Sequence, residues 1–321
     1  MKSFTDLCKM SQKELKEYMN AFLTARDYET CYQDGFLYAK GKVPVLVVAH
    51  LDTVHKQKCT EITELNGKIS SPQGIGGDDR CGVYIIMSLL KYLNCSVLLC
   101  EDEETGGKGA HKFVKSQYIS ELDADYIIEF DRKGKNDAVF YNCDNPAFTK
   151  FVCDATGYKE AHGSFSDISV IAPEAKICAV NLSCGYYNPH TLGEYVIYNE
   201  MMATVSAAKN LIETKCDAPF VYKAREYKKT DFNFDFNKWK QMSFFDDMGY
   251  DDTPPEHTDF LDIAKLIRED DEITLAATIK TRKGKEDVLI ASGKTKMECW
   301  FDLFTSYTSV CLDDIVDYEF S

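Results

Sequence analysis

For a chain with thirteen cysteines, this one has no C-x-x-C pair. That absence excludes a zinc knuckle or a thioredoxin-type redox motif as the reason for the thiols. No apolar run reaches the roughly eighteen residues that cross a bilayer, and the opening stretch MKSFTDLCKMSQKELKEYM has no apolar signal core. Basic charge is also scarce: 37 Lys and Arg stand against 52 Asp and Glu, a formal net charge of -15. With no global field favouring phosphate, a nucleic-acid-coating role is excluded. Internal repeats and low-complexity tracts are missing too. These absences leave a soluble globular protein with neither a membrane nor a nucleic-acid partner. Its thiols read as reduced and its compartment as cytoplasmic; Cys95, Cys100 and Cys178 lie in apolar runs as small hydrophobes.

What is present is ample core, since 45% of the 321 residues are hydrophobic. Helical spacing of Leu7, Met10, Leu15, Met19 and Phe22 predicts one helix over 5–24. GFLYAKG reads as a strand, VPVLVVAH as a strand buried on both faces, and residues 59–71 as a hairpin around Asn66-Gly67. There follow a helix at 79–93, strand CSVLLC, a helix at 107–116, and strands ADYIIEF and DAVFYN. Helices at 145–155 and 166–172, strand KICAVNLS and a long helix at 193–214 complete the alternation. The predicted fold class is α/β: a three-layer α/β/α sandwich on a mostly parallel mixed sheet, occupying 1–214. Residues 215–257 read as an acidic, Phe-rich linker or strap. A small C-terminal α+β unit is expected at 258–321, with helices near 258–268 and 294–305 and strands at 272–279 and 286–292.

Position is more telling than composition. His50 directly follows VPVLVVA, and Asp52 comes two residues later; Glu103 and Glu104 follow SVLLC; Asp131 closes ADYIIEF; His190 lies beyond AVNL. Each falls at or past the C-terminal end of a predicted parallel strand, where open α/β sheets build their sites. Asp78, in GIGGDDRCG, sits at the mouth of a helix. Taken singly, every one has a structural explanation: a satisfied core histidine, a charged cap on a helix, turn chemistry before a helix start. Together on one rim, two histidines and several carboxylates are the donor set that a pair of divalent ions needs. Two neighbouring cations call for a bridging carboxylate. Asp52 suits the outer partner of a ligating histidine, and one of two adjacent glutamates can ligate while the other handles a proton.

The ordered set AHLDTV, GGDDRCGV, EDEETGGKGA, IIEFDRKG and GYYNPHT resembles the co-catalytic zinc exopeptidases, which include aminopeptidases, the tripeptidase and glutamate carboxypeptidases. The likeness covers residues 36–214. It implies that His50 and Asp131 hold one metal and Glu104 and His190 the other. Asp78 would bridge them and be followed by a cis peptide. Glu103 would be general base and then acid, and Asp52 would orient His50. The cofactor implied is two divalent ions, zinc first, with cobalt or manganese as substitutes. Only 59 positions separate Asp131 from His190, and 28 separate His50 from Asp78, so neither lid insertion of the family has room. This favours the lidless aminopeptidase branch, a zinc-dependent metallopeptidase acting on short peptides. Deacylation of N-acyl amino acids at the same site, or an inactive metal-binding scaffold working through the C-terminal unit, are the alternatives. His162, Asp167 and Tyr187 are weaker candidates for substrate contact, His55 and His111 read as surface residues, and homo-oligomerisation is left open.

Overall fold

A computed structural model describes residues 1–216 and 218–225, and four strands beyond them. The chain divides into two compact units, Met1–Tyr250 and Asp251–Ser321. The first opens with α1 (Phe4–Cys8), α2 (Gln12–Thr24), β1 (Thr30–Gln33), β2 (Phe36–Ala39) and β3 (Val43–His50). Next come β4 (Thr63–Leu65), β5 (Lys68–Ser70), α3 (Gly77–Leu89), β6 (Cys95–Cys100), α4 (Lys108–Val114) and β7 (Tyr126–Arg132). Then follow β8 (Asp137–Val139), α5 (Pro146–Thr156), β9 (Lys159–Ala161), α6 (Asp167–Ala175) and β10 (Ala179–Ser183). β11 (Tyr186–Tyr187), β12 (Tyr195–Ile197) and α7 (Tyr198–Glu213) close the series.

The unbroken apolar runs become the centre of an eight-stranded sheet, ordered β1-β2-β6-β3-β7-β10-β8-β9. β6, β3, β7 and β10 are mutually parallel; β1 and β2 run antiparallel to their neighbours, and β8 is antiparallel to β10 but parallel to β9. Strand alternation then builds two cores. Val45, Val47 and Ala49 of β3 pack on the side of α1, α2, α3, α5 and α7; Leu46 and Val48 pack on the side of α4 and α6. All five are essentially inaccessible, each such aliphatic side chain contributing about 1.5–3 kcal/mol for the larger residues. The three-layer α/β/α sandwich is the architecture observed.

Local chemistry explains where the elements depart from expectation. The helix predicted at 5–24 is two helices, because Ser3 with Asp6 and Ser11 with Glu14 each form a capping box, and the second box starts a new helix. A hairpin partner for β2, β1, precedes it. The helix predicted from 193 begins at Tyr198, since Tyr195-Val196-Ile197 pairs with β5 instead. That pairing makes a second, four-stranded sheet, β11-β12-β5-β4, whose hairpin turns at Asn66 and Gly67, both at positive φ. Beyond α7, Phe220 returns to the first unit and packs on Phe148 and Phe151, ring centroids 5.1 Å away in each case.

The second unit contributes β13 (Arg268–Glu269), β14 (Glu272–Lys280), β15 (Glu286–Gly293) and β16 (Glu319–Phe320), all antiparallel around β14. Its two long strands agree with the expectation; the helices anticipated at 258–268 and 294–305 lie outside the described residues.

Candidate metal centre

The parallel strands deliver their polar ends to one place. β3 stops at His50, β7 carries Asp131 near its end, and β6 runs into the short turn Glu103–Thr105. Asp78 lies just inside α3, but its φ/ψ and those of Asp79 are not helical, and the peptide between them is cis. Regular helix begins only after the pair. Gly82 lets α3 lie directly on the sheet, for a Cβ there would sit 2.1 Å from the Phe130 carbonyl oxygen.

The distances define two overlapping groups. His50 Nε2 lies 2.9 Å from Asp78 Oδ1 and 3.5 Å from Asp131 Oδ1. His190 Nε2 lies 3.2 Å from Asp78 Oδ2 and 3.2 Å from Glu104 Oε2. Asp78 thus turns one oxygen to each imidazole. Within each trio, His50, Asp78 and Asp131 or Asp78, Glu104 and His190, one donor atom per residue lies within 4.8 Å of the others. Imidazole nitrogens and carboxylate oxygens in this number suit zinc and its borderline neighbours. Glu104 Oε1 is buried with no hydrogen-bond partner, a lone-pair oxygen still to be satisfied.

Around the two groups stands a layer of orienting contacts. Asp52 Oδ1 lies 3.2 Å from His50 Nδ1, and the same carboxylate accepts the backbone N–H of Glu103 and Glu104, each at 3.0 Å. Asp79 accepts from the His50 and Gly82 amides. Tyr186 donates to Asp131 Oδ1 at 3.3 Å, and Asn181 Oδ1 accepts the Asp131 amide at 2.8 Å.

Electrostatics show how unbalanced the cluster is without cations. Hydrogen bonds to Asp78 and Glu104 push the His190 imidazole up to about 11. Burial works against a charged His50, yet Asp131, Asp52 and Asp78 hold it well above its ordinary value. Burial and the Asp78 charge push Asp131 up to about 7, and burial with neighbouring carboxylates raises Glu103 and Glu104. Asp78, despite burial, is held low by His190 and His50. Buried acids outnumber buried bases, the imbalance that bound dications relieve.

Of the weaker candidates, Asp167 is fully buried at the start of α6 beside the Cys100 thiol, with no nitrogen or oxygen partner for its carboxylate. Tyr187 turns its hydroxyl to Glu200 and stacks on Tyr195; it is the adjacent Tyr186 that reaches Asp131. His162 is exposed, one residue past β9. His111 is exposed as expected. His55 is the correction: its side chain is only 7% exposed and its Nε2 lies 2.8 Å from buried Glu194. Sequence reasoning passed over Glu194 and also Glu129, which is fully buried, hydrogen-bonded by Ser166 and two residues before Asp131 on the same strand face. A cavity of about 270 Å³ opens beside Asp52, Thr53, His55 and Gly76, bordering the orienting layer; none of the five candidate donors lines it.

No family model and no curated protein sequence matches the chain. Solved structures do share its fold. Aminopeptidase PepT from Bacillus cereus superposes with a TM-score of 0.57 at 15% identity, covering 65% of this chain and 96% of that one. A tripeptidase from Staphylococcus aureus gives 0.56 at 14%, with the same coverages. Aminopeptidase APDkam598 from the archaeon Desulfurococcus kamchatkensis gives 0.51 at 15%, over 66% and 95%. At these identities the likeness is one of fold.

Proposed function

We propose that the protein is a binuclear metallopeptidase, an aminopeptidase acting on short peptides. The observation that carries this reading is the sharing of Asp78 between two donor trios on the rim of a sheet whose fold counterparts are aminopeptidases and a tripeptidase. His50 and Asp131 are assigned to one ion, Glu104 and His190 to the other, and Asp78 to both; zinc suits the donors best. Bound there, the ions supply Lewis acidity to a peptide carbonyl and acidify water.

The protein's own groups do the rest. Glu103, beside Glu104 but outside both trios, takes a proton from the attacking water and returns it to the departing amine. Its raised proton affinity, set by burial and neighbouring carboxylates, suits a group that must hold that proton. Asp52 fixes the tautomer of His50 and, through two amides, the course of the Glu103–Glu104 turn. Eleven free thiols among the described residues support a reducing compartment, the cytoplasm, and no helix among those residues is long and apolar enough to cross a membrane.

One preparation tests the reading: metal content per chain by mass spectrometry, then hydrolysis of free-amine, N-acylated and C-terminally blocked peptides. Two ions per chain and chelator-sensitive release of N-terminal residues are expected. Failure to take up metal on reconstitution overturns the assignment, and a preference for acylated substrates replaces aminopeptidase with deacylase. Glu103→Gln is expected to keep both ions and lose about 10²–10⁴-fold in kcat; full activity in that variant removes the base.

A further inference from the structure

Glu194 lies four residues past His190 and is 1% exposed. Its Oε1 accepts the backbone N–H of Asp78 at 2.9 Å, and its Oε2 accepts that of Gly76 at 3.0 Å and the His55 Nε2–H at 2.8 Å. The two amides flank Gly77, where there is no space for a side chain: a Cβ would lie 2.7 Å from Val196 Cγ2 and 2.9 Å from Tyr186 Cβ. The His55 ring is itself seated, since a Cβ on Gly74 would meet its Nδ1 at 2.2 Å. A carboxylate arriving from 116 residues away therefore holds the chain on both sides of Gly77, and one of its bonds is to the residue shared by the two donor trios. Charge-assisted bonds from amides to a buried carboxylate are short and directional. They act on the backbone of Asp78 and leave both of its side-chain oxygens free for His50 and His190.

We infer that Glu194, held in turn by His55, is a positioning residue for the metal pair: it sets the Asp78 backbone so that the two carboxylate oxygens face opposite trios. This rests on reading the centre as binuclear, and it assigns a function to two residues that touch neither donor nitrogen. Glu194→Gln preserves volume but offers one acceptor oxygen to two amides and a ring. His55→Phe keeps the ring against Gly74 and removes only its donor, and His55→Gln restores a donor.

The test is titration of Co²⁺ and Zn²⁺ into the metal-free full-length chain, by calorimetry and by competition with a chromophoric chelator, alongside melting temperatures. Glu194→Gln is expected to weaken binding of at least one ion by about 10–100-fold, the range for lost orienting partners of metal ligands. His55→Phe should weaken it by a smaller factor that His55→Gln recovers. Wild-type affinity for both ions in Glu194→Gln overturns the inference. So does a lowered melting temperature with unchanged affinity per folded chain, which makes Glu194 a support of the fold alone. Should Glu194→Gln not fold, the two His55 variants decide: equal affinities in both refute the link. A wild-type chain that binds no ion fails differently, by removing the binuclear reading itself.

Discussion

Asp167 is a carboxyl with no nitrogen or oxygen partner, buried beside the Cys100 thiol where the sheet meets α6. Burial pushes it up to about 7 from an ordinary value of 3.8. The folded state therefore prefers the protonated acid. Its favourable contribution is complete below about pH 4 and is lost as pH rises through 7, above which folding buries a charged carboxylate. Asp167→Asn, which cannot ionise, is expected to gain stability over the metal-free wild type as pH rises from 4 to 7, by a few kcal/mol, and to hold that gain above 7. Melting curves across this range check it; parallel curves for the two proteins would refute it. At this scale the sequence was most legible for side chains tied to strand ends. His50, Glu104 and Asp131 are fixed by where an apolar run stops, and that is visible in the text of the chain. Tyr186 and Tyr187 were not separable, because neighbours on a strand face opposite ways and nothing local says which faces inward. His55 looked like surface amid exposed Lys56, Gln57 and Lys58, since the carboxylate that buries it is 139 residues distant.

Among elements, α3 carries the tightest constraint. It lies against β7 at Gly82, where a methyl group would meet the Phe130 carbonyl oxygen at 2.1 Å and Asp79 Oδ2 at 2.4 Å. Backbone on one side and a bonded carboxylate on the other cannot give way cheaply. Gly82→Ala is expected to destabilise the fold by about 3 kcal/mol, at or above the upper range for overpacking, despite alanine's better helix propensity. Chemical denaturation measures it, and a neutral or stabilising effect would show that α3 can lift. The same helix shows how far local patterns reach. Its apolar spacing marked it plainly, but the two aspartates at its mouth read as helix start while the backbone withholds helical geometry from both. In the 5–24 segment, apolar spacing ran on through a break that only the Ser11–Glu14 capping box reveals.

At the scale of the molecule, the excess of acid over base among the described buried residues makes cation binding at the proposed site an expected source of stability. A ligand that binds only the folded state adds about 2.7 kcal/mol at a hundred times its dissociation constant. Stripping the ions with a chelator is therefore expected to lower the melting temperature by about 5–10 °C, reversed by adding Zn²⁺ or Co²⁺; an unchanged melting temperature contradicts a structural share for the metals. The small sheet β11-β12-β5-β4 has a consequence for biosynthesis. It pairs Lys68–Ser70 with Tyr195–Ile197, so the hairpin that separates His50 from Asp78 finds its partner only after His190 has been made. A growing chain that has reached Arg132 already carries four of the five donors, yet has neither the last imidazole nor the Glu194 carboxylate that fixes Asp78. At about 5–20 residues per second, the ribosome holds the proposed ion site unfinished for several seconds. On the proposed reading, full-strength ion capture waits for the strand that closes the frame.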